Sequence, residues 1–93
     1  MRKISDEKKE LIKIIGVLDS LYNDAISIEE ANKLYFSPKT AIQLEQMNID
    51  DEIVKLVWEC CELENIYSLI PYKLKKNIIM LKNRALEVLK CKS

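Results

Sequence analysis

The sequence has 93 residues but contains no histidine, only one glycine and only two prolines. Without histidine there is no imidazole to act as a general base, to activate a serine or cysteine nucleophile, or to bind zinc. A single glycine excludes the phosphate-binding loop and the dinucleotide fingerprint, because both need several glycines. We therefore expect a protein that is not an enzyme, has no catalytic residues and binds neither a cofactor nor a metal.

The chain also lacks an excess of either charge and any long apolar run. Its 15 Lys and Arg residues balance 15 Asp and Glu residues, which argues against a general nucleic-acid binder. No apolar stretch approaches the roughly 18–20 residues of a membrane span, and the charged N-terminus does not resemble a secretory signal. Adjacent Cys60 and Cys61 are too close for an ordinary disulfide with each other. We expect a cytoplasmic protein with reduced thiols and no membrane partner.

What the chain does contain is typical of helices. Residues classed as hydrophobic make up 48%, mostly leucine and isoleucine, and charged residues make up 32%. This composition, with almost no glycine, favours an all-α protein, and the length is that of a single domain spanning residues 1–93. The sequence predicts a compact bundle of four to five helices, with long first and last helices around short central ones.

Local signals place the helices along the chain. Ser5 is a candidate N-cap, Ser27 and Glu30 have the spacing of a capping box, and Ser37-Pro38 marks the end of one helix and the start of the next. The apolar spacing then predicts helices over about 5–22, 27–36, 38–47, 50–63 and 71–91, with 64–70 as a turn containing about one turn of helix.

The two terminal helices have wide or regular apolar stripes. In the last helix the apolar residues follow a 4-3-4-3 spacing, the seam expected of antiparallel helix packing: Leu74, Ile78, Leu81, Ala85 and Val88. The first helix contains Gly16, which costs about 1 kcal/mol relative to alanine in a helix interior. We attribute this glycine to close packing of a neighbouring helix.

Zero net charge hides a strong asymmetry. Residues 1–18 contain five basic and three acidic side chains, a balance of +2. Residues 19–64 contain three basic and eleven acidic ones, a balance of −8, and residues 65–93 contain seven basic and one acidic, a balance of +6. The middle of the chain is acidic and its end is basic.

The fourth helix concentrates this acidity on one side. At about 100° per residue, Asp51, Glu52, Glu59 and Glu62 share an outward face, here named the acidic face, with only Lys55 among them. Trp58 lies at the border of this face with the apolar side. Complementary charge accelerates the encounter with a basic protein, and a half-buried tryptophan is a common binding hot spot. These five residues are the predicted partner-binding site, and the predicted partner is a basic protein.

Three alternatives compete with this hypothesis. The carboxylates could form a solvated surface, cap the helix start and pair with the basic last helix, with Trp58 in the core. The chain could be a structural or self-associating module, such as a homodimer, in which the acidic centre of one copy meets the last helix of another. It could also be a small RNA-binding regulator that uses the last helix: Lys73, Lys76, Arg84 and Lys90. No Arg-rich or aromatic-interleaved run supports the RNA alternative.

Three segments resemble a family of short bacterial proteins catalogued as a domain of unknown function: residues 26–31 (ISIEEA), 36–38 (FSP) and 62–71 (ELENIYSLIP). The likeness covers roughly residues 15–89. The family pattern has a glycine after Asn23 and an aspartate at position 65, where this chain has Asp24 and Asn65. The resemblance implies no catalytic residues.

In size, helical make-up and acidic centre, the chain is also similar to small immunity proteins that neutralise colicin-type or contact-dependent toxins. Those proteins bind a toxin, often a basic nuclease, and cover its active site with acidic side chains. The resemblance is one of class, without a diagnostic motif. It implies an immunity function for the acidic face.

Overall fold

The computed structural model describes residues 5–92; Met1 to Ile4, which include the basic Arg2 and Lys3, and Ser93 lie outside the described residues. Six α-helices and one turn of 3-10 helix follow one another, and residues 5–92 contain no strand. Their bounds are α1 Asp6–Tyr22, α2 Ile28–Leu34, α3 Pro38–Gln46, α4 Asp51–Cys61, α5 Leu63–Leu69, the 3-10 turn Pro71–Lys73, and α6 Leu74–Cys91. The predicted all-α bundle, with its long first and last helices, is confirmed.

The predicted helix starts are formed by side-chain caps. Ser5 Oγ accepts a hydrogen bond from the amide of Lys8 at the start of α1. At α2, Ser27 and Glu30 bond each other's backbone amides and complete the predicted capping box. Ser37 caps α3, with Pro38 at its first position. These bonds satisfy backbone donors that helix geometry leaves without an internal partner.

Two turns adopt left-handed backbone conformations. Asp24, after α1, and Asn48, after α3, both have φ of 58°. Asp and Asn tolerate this region better than other non-glycine residues because their short polar side chains bond the local backbone.

The terminal helices α1 and α6 form the largest helix pair of the fold, and α4 packs against α6 and α3. One cluster of buried side chains includes residues from all six helices. Within the predicted α6 seam, Ile78, Leu81 and Ala85 are buried, whereas Leu74 and Val88 are partly buried against the core. The Cα radius of gyration of 12.9 Å is close to the roughly 12 Å of a compact domain of this length.

Two local predictions differ from the structure near the end of the chain. Residues 63–69 form a helix of two turns, α5, separated from α4 by Glu62 alone. Leu63 is buried and Ile66 packs against the core one turn later, so tertiary contacts stabilise a helix too short to persist alone. Pro71 begins a 3-10 turn, and the α-helical part of the last helix begins at Leu74.

The explanation offered for Gly16 was wrong. Gly16 is exposed, and a methyl group added to its Cα would meet nothing within 4 Å. No helix of the described chain packs closely on it. The Ser20 hydroxyl donates a hydrogen bond of 2.8 Å to the Gly16 carbonyl, an interaction that any residue at position 16 would permit.

All three cysteines are free thiols, but their surroundings differ. Cys60 is buried in the core, Cys61 is partly buried and Cys91 is exposed. Burial raises the pKa of the Cys60 thiol, and to a lesser extent that of Cys61. Cys60 therefore acts as a small apolar filler of the core.

Candidate partner-binding surface

Helix α4 presents the acidic face because its apolar residues occupy the opposite side. Its buried side chains are Ile53, Val54, Leu56, Val57 and Cys60. Asp51, Glu52 and Glu62 are exposed, and Glu59 is partly exposed. Glu62 is the single residue between α4 and α5, one turn after Trp58 and Glu59. The five residues of the predicted site therefore lie along the outer side of α4, from its first residue to the residue that follows its end.

Trp58 lies where the apolar side of α4 meets its acidic side. Its side chain is 38% exposed, so about two-thirds of its surface is covered. Val54, four residues before, is buried, and Cys61, three residues after, is partly buried. Trp58 therefore lies beside the apolar side of α4, with more than a third of its surface accessible to another molecule.

Glu59 forms an ion pair with another residue of the same chain. Its Oε2 atom accepts a hydrogen bond from Nη1 of Arg84 on α6, at 2.5 Å. Both side chains are partly exposed, so the pair forms on the surface where α4 and α6 meet. One of the alternatives drawn from the sequence, pairing of the acidic centre with the basic last helix, therefore applies to Glu59.

Two small hollows lie on either side of Arg84. One, of about 220 Å³, is lined by Glu59, Glu62, Ile66, Asn77, Met80, Leu81 and Arg84. The other, of about 230 Å³, is lined by Glu52, Leu56, Arg84, Glu87 and Val88. Each is lined by both carboxylates and apolar side chains. Glu87 of α6, which sequence reasoning did not include, lines the second hollow and lies 3.7 Å from Lys90.

Two further cations of α6 are also paired with acids from the rest of the chain. Lys75 lies 3.0 Å from Asp24, and Lys82 lies 2.8 Å from Asp19. By contrast, among the described residues no ion pair engages Asp51, Glu52 or Glu62; Glu62 accepts a hydrogen bond from Asn65. Internal pairing neutralises much of the basic end but leaves three carboxylates of the acidic face unmatched.

Asp50, just before the acidic face, has a structural role. Its Oδ1 atom accepts from the amide of Glu52 and caps α4, and its Oδ2 atom lies 2.6 Å from Lys92. The hydrogen bond from Lys92 and the backbone bond hold the pKa of Asp50 below its usual range. The same contact raises the pKa of Lys92.

Sequence analysis did not identify a buried polar pair that joins α1 to the end of α2. Glu10 is only 9% exposed, and the hydroxyl of Tyr35 donates a hydrogen bond of 2.5 Å to its Oε1 atom. Burial raises the pKa of the Tyr35 phenol, and Glu10 beside it adds to the effect. The available signal was spacing, because Glu10, Ile14 and Leu18 follow one another every four residues along the buried side of α1.

A hollow of about 470 Å³ lies away from the acidic face. It is open on one side and is lined by Leu21, Asp24, Ile26, Ser27, Ile28, Glu29, Glu64, Tyr67, Ser68 and Leu74. Two of its three carboxylates already have partners, because Asp24 pairs with Lys75 and Glu64 accepts a hydrogen bond of 3.0 Å from Asn32. Its polar residues thus mainly join α2 and α6 to their neighbours.

Within residues 5–92, no three His, Cys, Asp or Glu side chains are grouped so that they could hold a metal ion. The same part of the chain has no helix with the length and apolar character needed to cross a membrane.

The fold and its surface define a small all-α protein whose distinguishing feature is an uneven distribution of surface charge. A family model described as "Protein of unknown function (DUF3969)" matches residues 2–93, and the chain belongs to that family. No curated protein and no solved structure matches the chain. The comparisons therefore do not support the expected resemblance to immunity proteins.

Proposed function

We propose that this chain is a non-enzymatic, cytoplasmic protein-binding module whose acidic face binds a basic protein. The observation that carries the proposal is the set of three exposed carboxylates without ion pairs within residues 5–92, Asp51, Glu52 and Glu62, beside the half-buried Trp58. Unmatched charge steers association with a partner of opposite charge, and an accessible tryptophan is a common binding hot spot.

The hollows beside Arg84 suit the side chains of such a partner. A lysine or arginine has a long aliphatic stem and a charged end. In each hollow the stem would pack on apolar side chains, such as Met80 or Val88, while the charged end meets Glu62 or Glu52 at the rim. Arg84 stays with Glu59 in this arrangement, so binding does not require the internal ion pair to break.

The finer proposal is an immunity function, in which the partner is a toxin such as a nuclease. A nuclease that binds nucleic acid needs cations around its active site to contact phosphates. A rigid strip of carboxylates could occupy that surface in place of the nucleic-acid backbone. The size and acidic centre of the chain support this proposal.

The acidic face can be tested by capture of a partner from the source cells, followed by kinetics with the purified partner. Glu52→Gln combined with Glu62→Gln removes two charges from the face. Asp6→Asn combined with Glu29→Gln removes two exposed charges at the starts of α1 and α2 and is the matched control. Both double variants change the net charge equally.

We expect the captured protein to be rich in Lys and Arg, and its association rate with wild type to fall steeply as salt is added. The Glu52/Glu62 variant should associate about tenfold more slowly at low salt, a loss typical of steering charges, while the control stays close to wild type. Equal rates for the two variants would exclude the acidic face as the site. For the immunity proposal, expression of the captured protein alone should arrest growth, and co-expression of this chain should restore it.

The RNA-binding alternative uses Lys73, Lys76, Arg84 and Lys90, and self-association also uses the last helix. Of these four cations, Arg84 pairs with Glu59 and Lys90 lies 3.7 Å from Glu87. Nearby, Lys75, Lys82 and Lys92 pair with Asp24, Asp19 and Asp50. A partner with phosphates or carboxylates would have to compete with these contacts. The arrangement therefore favours the acidic face over α6 as the partner-binding surface.

A further inference from the structure

A shallow apolar groove runs between α1 and α2, on surface that the acidic face does not use. Its volume is about 420 Å³, and it is lined by Lys13, Gly16, Val17, Ser20, Ile26, Leu34 and Tyr35. Lys13 is the one charged residue among them, and it lies 3.5 Å from Glu10. The groove is thus nearly neutral, in contrast to the acidic face.

Gly16 at the floor of this groove has no explanation within the described chain. A helix-interior glycine is disfavoured relative to alanine, and here a methyl group would meet nothing within 4 Å. What the glycine does provide is a depression in the surface of α1. Such a depression allows a side chain or backbone of another molecule to approach the helix closely.

Leu34 projects from the rim of the same groove and is 66% exposed. A large exposed apolar side chain and a depression over a glycine therefore occupy one surface. A surface that contains both an exposed apolar side chain and a depression can pair with a second copy of itself. A two-fold axis places Leu34 of each copy over the depression at Gly16 of the other copy.

The charges at the two ends of the groove fit the same arrangement. Lys9 and Lys13 precede Gly16 on its face of α1 and lie at the end where Tyr35 meets Glu10. At the other end, Glu30 lies one turn before Leu34 on the same side of α2, with its carboxylate bonded to the amide of Ser27. A two-fold axis across the groove reverses the ends and brings the lysines of one copy to Glu30 of the other. The acidic face, paired with itself, would place like charges together.

We propose that the groove between α1 and α2 is the interface of a homodimer, in which Leu34 of each copy packs over Gly16 of the other. The lining residues come from α1, the turn that follows it, α2 and Tyr35 just after α2, so α4 stays free. The proposal does not depend on the function of the acidic face, and a dimer of this kind would expose two such faces.

The mass of the full chain in solution, measured by sedimentation over micromolar to high micromolar concentrations, tests this interface. We expect the wild-type mass to rise toward that of two chains. Gly16→Leu, which fills the depression, and Leu34→Glu, which charges the projection, should each weaken the dimer about tenfold or more, the loss expected for a central apolar contact. Ile42→Glu changes an exposed apolar residue of α3 outside the groove and should leave the dimer intact. Circular dichroism checks that each variant is folded.

Two neighbouring glutamates test the antiparallel arrangement. Glu30→Gln keeps the capping interaction, because glutamine serves at this position, but removes the charge facing the lysines of the other copy. Glu29→Gln removes a charge from the same helical turn on a different side. Only Glu30→Gln should weaken the dimer, and more so at low salt. A wild-type chain that stays at the mass of one copy at every concentration, a dimer unaffected by both Gly16→Leu and Leu34→Glu, or equal effects of the two glutamate changes would overturn the proposal.

Discussion

The Oδ2 atom of Asp50 lies 2.6 Å from Nζ of Lys92, although the two residues are 42 positions apart in the chain. Glu7 joins them: its Oε1 atom lies 3.5 Å from Lys92 Nζ, and its Oε2 atom accepts a hydrogen bond of 2.8 Å from the Asp50 amide. The start of α1, the start of α4 and the end of α6 thus meet at one polar junction formed by these three residues. The junction connects the start of α4, where the acidic face begins, to both terminal helices.

Asp50→Asn should destabilise the fold at neutral pH, and the effect should disappear in acid. Asparagine can still cap α4, so the substitution chiefly removes the charge that Lys92 contacts. The pKa of Asp50 is lowered in the folded chain. Its contribution is therefore complete above the unfolded pKa of about 4 and is lost as pH falls through the folded pKa. Urea unfolding of both proteins between neutral pH and strong acid measures the difference.

Asp51→Asn is the matched control for this prediction, because Asp51 is exposed and forms no ion pair among residues 5–92. Its effect on the unfolding midpoint should be small, within about 0.5 kcal/mol. A destabilisation by Asp50→Asn that persisted undiminished in strong acid would contradict the assignment of that stability to the charged pair.

Sequence periodicity predicted the helices other than α5, but not the contacts between them. The outward direction of Asp51 and Glu52 could be predicted because α4 has a strong apolar side and helix geometry fixes the rest. The pairing of Glu59 with Arg84 could not be predicted from the sequence. It depends on how α6 crosses α4, and 25 residues separate the two side chains. Composition showed that the ends and the centre have opposite charge, but not which charges neutralise each other.

The short helix α5 shows a second limit of local patterns. Residues 63–69 have little helix-forming strength of their own, and a helix of this length is marginal in isolation. Burial of Leu63 stabilises it, and that burial exists only once the other helices are assembled. Gly16 shows the opposite error. The glycine was interpreted as a site of close helix packing, but no atom of a neighbouring helix in the described chain lies within 4 Å of a methyl group added there.

Tyr35→Phe should destabilise the fold by about 1–3 kcal/mol, the usual result when a buried polar group loses its partner. The substitution removes the hydroxyl that donates to buried Glu10, and Lys13 at 3.5 Å replaces it poorly. Tyr67→Phe, at an exposed tyrosine, is the control and should change the free energy of unfolding by less than about 0.5 kcal/mol. Urea unfolding at neutral pH compares the two variants, and equal effects would show that the bond between Tyr35 and Glu10 contributes little.

Thiol labelling should distinguish the three cysteines. Cys91 is exposed and should react first with a thiol reagent in the native protein. Burial both shields the Cys60 thiol and raises its pKa, so it should react only when the chain unfolds; Cys61 should be intermediate. Mass spectrometry of timed samples, with and without denaturant, follows the order. A Cys91→Ser variant checks that the fast label belongs to Cys91, and fast labelling that survives this change would contradict the prediction.

Gly16→Ala should stabilise the single chain by up to about 1 kcal/mol. Alanine has the higher helix propensity and loses less backbone entropy on folding, and no atom lies within 4 Å of the added methyl group. Thermal and urea unfolding should be measured at the lowest practical concentration, where any dimer has dissociated and only the effect on the single chain remains. Ser20→Ala, one turn later on the same face, is a useful comparison, because its smaller change in helix propensity should give a smaller gain. A loss of stability in Gly16→Ala at low concentration would mean that α1 needs glycine for its own fold, and the open groove could then not be the reason that glycine occupies this position.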